Sequence, residues 1–63
     1  NELLIYKKGK TYFIISKRYM AHTIKLPLEL QHQTVKDLYN DTTITLTDSL
    51  ALESYGFYIF KIK

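Results

Sequence analysis

Apolar and polar positions alternate with a period of two through much of this chain. Residues 42–47 (TTITLT) give the clearest case. Ile44 and Leu46 fall on one side, and Thr43, Thr45 and Thr47 on the other. Successive side chains of a strand point to opposite faces, so this pattern predicts a strand with one buried face. Residues 22–26 (HTIKL) behave alike, with Ile24 and Leu26 on one side and Thr23 and Lys25 on the other. His22 is assigned to the polar side. Residues 11–16 (TYFIIS) and 57–62 (FYIFKI) are nearly continuous apolar runs, as expected of strands covered on both faces. In the second run the bulk lies on both sides until Lys61. One face of the last strand is therefore expected to be sealed by something outside this domain.

Turn formers separate these runs. Gly9, with a lysine on each side, links residues 3–7 to residues 11–16 as a predicted hairpin. Pro27 ends ladder pairing after Leu26, because it has no N–H to donate. Asn40-Asp41 and Asp48-Ser49 mark two more turns, and Tyr55-Gly56 a corner. Residues 34–39 (TVKDLY) read as a short strand, and Leu50 and Leu52 as a further short alternating piece. The one helical candidate, residues 28–39, carries Gln31, His32, Gln33 and Thr34 in its middle. That stretch is too polar for a buried helix face, so at most one turn of helix follows Pro27. The predicted fold is all-β: a small antiparallel β-sandwich, Greek-key-like, of about six short strands spaced roughly 8–12 residues apart.

Length limits what such a sandwich can do. The chain has 63 residues and reads as a single domain over residues 1–63. A domain this small buries only about 60% of the surface its unfolded chain exposes, so its stability alone is marginal. There is no cysteine, hence no disulfide and no thiolate metal cluster to reinforce it. The lack of cysteine accords with a cytoplasmic location, which is the expected one. No apolar run approaches the roughly 20 residues of a membrane helix, and no membrane partner is expected. The chain starts at Asn1 and its single methionine, Met20, is internal. A segment processed or cut from a longer protein is expected.

The net charge is +3, unevenly spread. Lys7, Lys8, Lys10, Lys17, Arg18 and Lys25 lie in the first 25 residues against Glu2 alone. A basic end of this kind attracts polyanions. Lysines beside short strands also form solvated faces that oppose edge-to-edge pairing, and that reading is preferred.

Candidate chemistry is sparse. His22 and His32 each lack a second histidine or cysteine at metal-ligand spacing, so both are assigned to the surface and no metal or other cofactor is expected. The six carboxylates sit beside turns or on polar strand faces. A glycosidase pair needs two of them facing each other across a cleft. Asp37 alone lies between apolar neighbours, Val35 and Leu38. It is assigned a structural role, as an exposed strand position or as an acceptor for nearby backbone N–H groups. Ser16, Ser49 and Ser54 lack a nucleophile elbow, and Gly9 and Gly56 are isolated. No catalytic residue emerges. The six tyrosines are mostly read as strand residues with a buried ring and a wet hydroxyl. Tyr19 and Tyr39 are the two candidates for sugar contact. Tyrosines flanked by lysines also suit a single-strand nucleic-acid module, the least favoured of these readings.

Taken in order, the motifs resemble a known domain. Leu26-Pro27, Asp37-Leu38-Tyr39, residues 42–46, residues 50–52, Tyr55-Gly56 and residues 57–62 follow one another as in the C-terminal β-domain of α-amylase-superfamily enzymes, glycoside hydrolase family 13. Neopullulanases, cyclomaltodextrinases and α-glucosidases belong to this group. The opening ELLIYKKGKTYFIIS is similar to the family's first hairpin. Two positions depart: Ser54 stands where the family favours proline, and Ser16 where it often has asparagine. The resemblance implies a non-catalytic sandwich that packs on the (β/α)8 barrel of its own parent chain. That parent would be an enzyme acting on α-glucans. None of the family's catalytic motifs falls on this chain. A carbohydrate-binding accessory module using surface tyrosines is the alternative expectation.

Overall fold

The computed structural model describes residues 3–62. Seven strands form: β1 (Leu3–Lys8), β2 (Thr11–Ser16), β3 (His22–Lys25), β4 (Thr34–Asp37), β5 (Thr42–Thr45), β6 (Ser49–Leu52) and β7 (Phe57–Ile62). Five make an antiparallel sheet in the order β1-β2-β7-β4-β5, and β3 pairs with β6 in a second sheet. The fold is a small all-β sandwich, as the alternation predicts. Among the described residues there is no helix.

The β1–β2 hairpin turns on Gly9-Lys10, between the paired residues Lys8 and Thr11. Gly9 has φ +62°, and Lys10 stays at negative φ. Positive φ at the first central residue alone is the type II′ pattern, whose twist matches that of the flanking strands. A glycine there avoids the clash any Cβ would make with its own backbone.

The last strand lies at the centre of the large sheet. β7 pairs with β2 on one side (Tyr12 opposite Phe60, Ile14 opposite Tyr58) and with β4 on the other (Val35 opposite Ile62, Asp37 opposite Phe60). These registers set the inner face. Tyr12, Ile14, Val35 and Phe60 are buried there, together with Leu52 of β6 and with Leu26, Leu30 and Leu46 from the connections. Ile24 and Leu50 of the small sheet pack against this core.

The boundaries differ from the sequence expectation in ways that have local causes. The piece at Leu50 and Leu52 is a full strand, β6, because β3 pairs with it from His22–Leu52 to Lys25–Ser49. The strand expected over residues 34–39 stops at Asp37. There the carboxylate takes over the backbone: Oδ1 accepts the N–H of Tyr39 at 3.0 Å and of Asn40 at 3.1 Å, and Oδ2 accepts the Asn40 amide at 2.9 Å. Asp37 is thus the predicted backbone acceptor. It is not an exposed strand position, since it is only 3% exposed. After β5 the ladder continues by single bonds, Leu46 N–H to the Gln33 carbonyl at 2.8 Å and His32 N–H to the Thr47 carbonyl at 3.3 Å. After Pro27 the chain makes a hydrogen-bonded turn, with the Leu30 and Gln31 N–H groups donating to the Pro27 carbonyl.

Two other expectations need correction. His22 is half-buried and shares a face with Ile24, two residues on, instead of facing solvent with the threonines. Strand β2 buries Tyr12, Ile14 and Ser16 fully but leaves Phe13 and Ile15 only half-covered. The turn after β2 is held by Ser16, whose Oγ accepts the Arg18 N–H at 3.2 Å.

Candidate functional site

Most of the six tyrosines depart from the expected buried ring with a wet hydroxyl: only Tyr12 is buried and only Tyr58 half-buried. Tyr12 is buried, donates to Glu29 Oε2 at 3.2 Å and carries the Lys7 ammonium 5.5 Å from its ring centroid. Tyr58 is half-buried and donates to the Ala51 carbonyl at 3.3 Å. The other four are outward. Tyr6 is 46% exposed, Tyr55 61%, Tyr39 67% and Tyr19 75%. Strand periodicity could not separate these cases, because three of the four lie in turns or beside them.

Two surfaces result. The first is the outer face of the five-stranded sheet. Register and alternation place Leu4 and Tyr6 of β1, Phe13 and Ile15 of β2, and Phe57 and Ile59 of β7 on it together. Tyr6 lies flat on Phe13, with ring centroids 4.7 Å apart at 12°. Leu4, Tyr6 and Phe57 are exposed, and Phe13, Ile15 and Ile59 are half-buried. Phe57 and Ile59 thus put the apolar bulk of one side of β7 on this outer face. At one edge lies a hollow of about 480 Å³ lined by Lys10, Lys36, Leu38, Lys61 and Ile62. Lys36 stands opposite Lys61 across the β4–β7 ladder, and Asp41 pairs with Lys36 at 3.0 Å.

The second surface is a cleft of about 290 Å³ at one end of the sandwich. Two turns build it. The β4–β5 turn supplies Tyr39 and Asn40, fixed by Asp37 as described. The β6–β7 corner supplies Glu53, Tyr55 and Gly56, and β7 supplies Phe57 and Tyr58. That corner is pinned by three backbone bonds: Gly56 N–H to Glu53 C=O at 2.9 Å, Tyr55 N–H to Arg18 C=O at 3.0 Å, and Ser16 N–H to Gly56 C=O at 2.8 Å. Tyr39 meets Phe57 edge-on, 4.9 Å between centroids at 71°. Tyr55 meets Tyr19 edge-on at 6.3 Å.

Of the two sugar candidates, Tyr39 lines this cleft. Tyr19 stands behind Tyr55 and does not line it. Asn40, Glu53, Tyr55 and Phe57 were not singled out from the sequence; the Tyr-Asn-Asp and Tyr-Gly turn signals were the available clue. His22 and His32 do not come together at either surface. Among the described residues no three of His, Cys, Asp and Glu form a metal-ligand set. No helix among them is long and apolar enough to cross a membrane. Compared with known proteins, the chain matches no family model and no curated protein.

Proposed function

We propose that this chain is the non-catalytic C-terminal β-domain of an α-amylase-type glycoside hydrolase acting on α-glucans, and that it packs on and stabilises the enzyme's (β/α)8 barrel. The observation that carries the reading is the uncovered outer sheet face, with Tyr6 stacked on Phe13 beside Leu4, Ile15 and Ile59. Contiguous exposed apolar surface on a small soluble domain marks a contact with something else. A broad apolar sheet face suits a helical surface better than it suits a small ligand. The ordered motifs over residues 26–62 supply the kind of parent. The chain's part is then mechanical: it shields apolar barrel surface and hydrolyses nothing.

The test uses the intact parent polypeptide. Tyr6→Asp, which places a charge on that face beside Phe13, lowers the melting temperature of the whole enzyme by several degrees and leaves its active-site residues untouched. The expected results are a barrel encoded upstream of Asn1 and no reducing sugar released from maltodextrin by the 63-residue chain alone. A parent with no barrel, or one indifferent to the Tyr6 charge, overturns the reading.

A further inference from the structure

The cleft between the two turns has a composition the packing role does not call for. Tyr39 and Tyr55 present exposed rings, and Phe57 and Tyr58 continue the aromatic lining. Beside them stand one amide, Asn40, and one carboxylate, Glu53. Among the described residues, no lysine, arginine or histidine lines it. Its volume, about 290 Å³, is just below the roughly 300–1,000 Å³ typical of sites for drug-sized ligands, a size for a single small ring.

We propose that this cleft binds one pyranose ring of a neutral oligosaccharide. The argument is chemical. A pyranose has two apolar C–H faces, which lie against aromatic rings, and a rim of hydroxyls, which need both donors and acceptors. The cleft offers both. The Asn40 amide spends one N–H on Asp37 Oδ2, which leaves its carbonyl oxygen and second N–H for a ligand. The Glu53 carboxylate accepts from two hydroxyls, the Tyr39 and Tyr55 hydroxyls donate or accept, and the Tyr58 hydroxyl, which donates to the Ala51 carbonyl, accepts. A nucleotide is disfavoured, because its phosphate would meet Glu53 with no cation in the lining to offset it. The walls are set before any ligand arrives, since hydrogen bonds hold both turns, and preorganisation lowers the cost of binding.

Tyr55 adds a second observation. Its φ is +51°, in the left-handed region where a bulky residue costs about 1–2 kcal/mol. Glycine would sit there without strain. The ring is 61% exposed, outside the core, and its ring contact is edge-on with Tyr19. The assignment does not require the barrel-packing role, which rests on Leu4, Tyr6, Phe13, Ile15 and Ile59; Phe57 borders both surfaces.

The experiment is an amide-detected NMR titration of the 63-residue chain with maltotriose, cellotriose and xylotriose in turn. The expected result is saturable shifts at residues 39–40 and 53–58 with at least one of them, at a Kd of about 1 mM. Tyr55→Gly removes the ring while relieving the backbone, so the fold is retained in the same spectrum. Its Kd rises about tenfold or more, in line with the loss of one ring contact. Tyr6→Ser, on the outer sheet face, leaves the Kd unchanged. Non-saturable shifts with all three sugars, shifts centred on the outer face, or equal affinity in Tyr55→Gly would each overturn the proposal.

Discussion

Asp37 holds Asn40 twice, accepting its backbone N–H at 3.1 Å on one oxygen and its side-chain amide at 2.9 Å on the other. The contact ends strand β4 and aims the turn that carries Tyr39 and Asn40 at the cleft. It also explains how a carboxylate tolerates burial opposite Phe60: the N–H groups around it replace the water it has lost.

Asp37→Ala removes the acceptor of three hydrogen bonds and leaves N–H groups unsatisfied in a part-buried site. The expected cost is about 2–3 kcal/mol, a large share of what a domain this small possesses. Asp37→Asn keeps one acceptor oxygen and costs less. Urea titration followed by circular dichroism ranks the two. Equal stability of wild type and Asp37→Ala would show that the turn is held by something else.

At the neighbouring corner, a Cβ on Gly56 would lie 3.1 Å from both the backbone N and the backbone O of Glu53. Neither atom is the end of a flexible side chain, so the corner itself must move. Gly56→Ala is expected to destabilise by about 1–3 kcal/mol, the usual cost of overpacking. Because this corner forms one wall of the cleft, the amide shifts it causes concentrate at residues 53–58. A melting curve superimposable on wild type would contradict the close approach.

His22 sets up the opposite case. Its Nδ1 lies 3.3 Å from the Met20 carbonyl, while Nε2 is buried with no hydrogen-bond partner. An unsatisfied buried polar atom costs free energy, and an apolar group of similar shape removes that cost. His22→Leu, facing Leu52 across the β3–β6 ladder, is therefore expected to raise stability by about 1 kcal/mol. Differential scanning calorimetry gives the sign directly, and a lowered melting temperature would mean that the Met20 contact outweighs the orphaned nitrogen.

The all-β class, the Gly9 hairpin and the inward facing of Ile44 and Leu46 follow from the sequence by itself. Each rests on a local rule: side chains alternate along a strand, and few residues accept the backbone angles of a tight turn. Where a strand is apolar on both sides, as in β2 and β7, alternation is silent about which side meets the core. Only the register settled that, with Tyr12, Ile14 and Phe60 inside and Phe13, Phe57 and Ile59 outside. His22 was misplaced for a related reason. Its polarity suggested solvent, whereas two-residue spacing from Ile24 and pairing with Leu52 put it on the inner side. The cleft was out of reach of any local rule. Its walls come from residues 39–40 and 53–58, brought together because β7 runs beside β4, a pairing between distant segments that no short window of sequence contains.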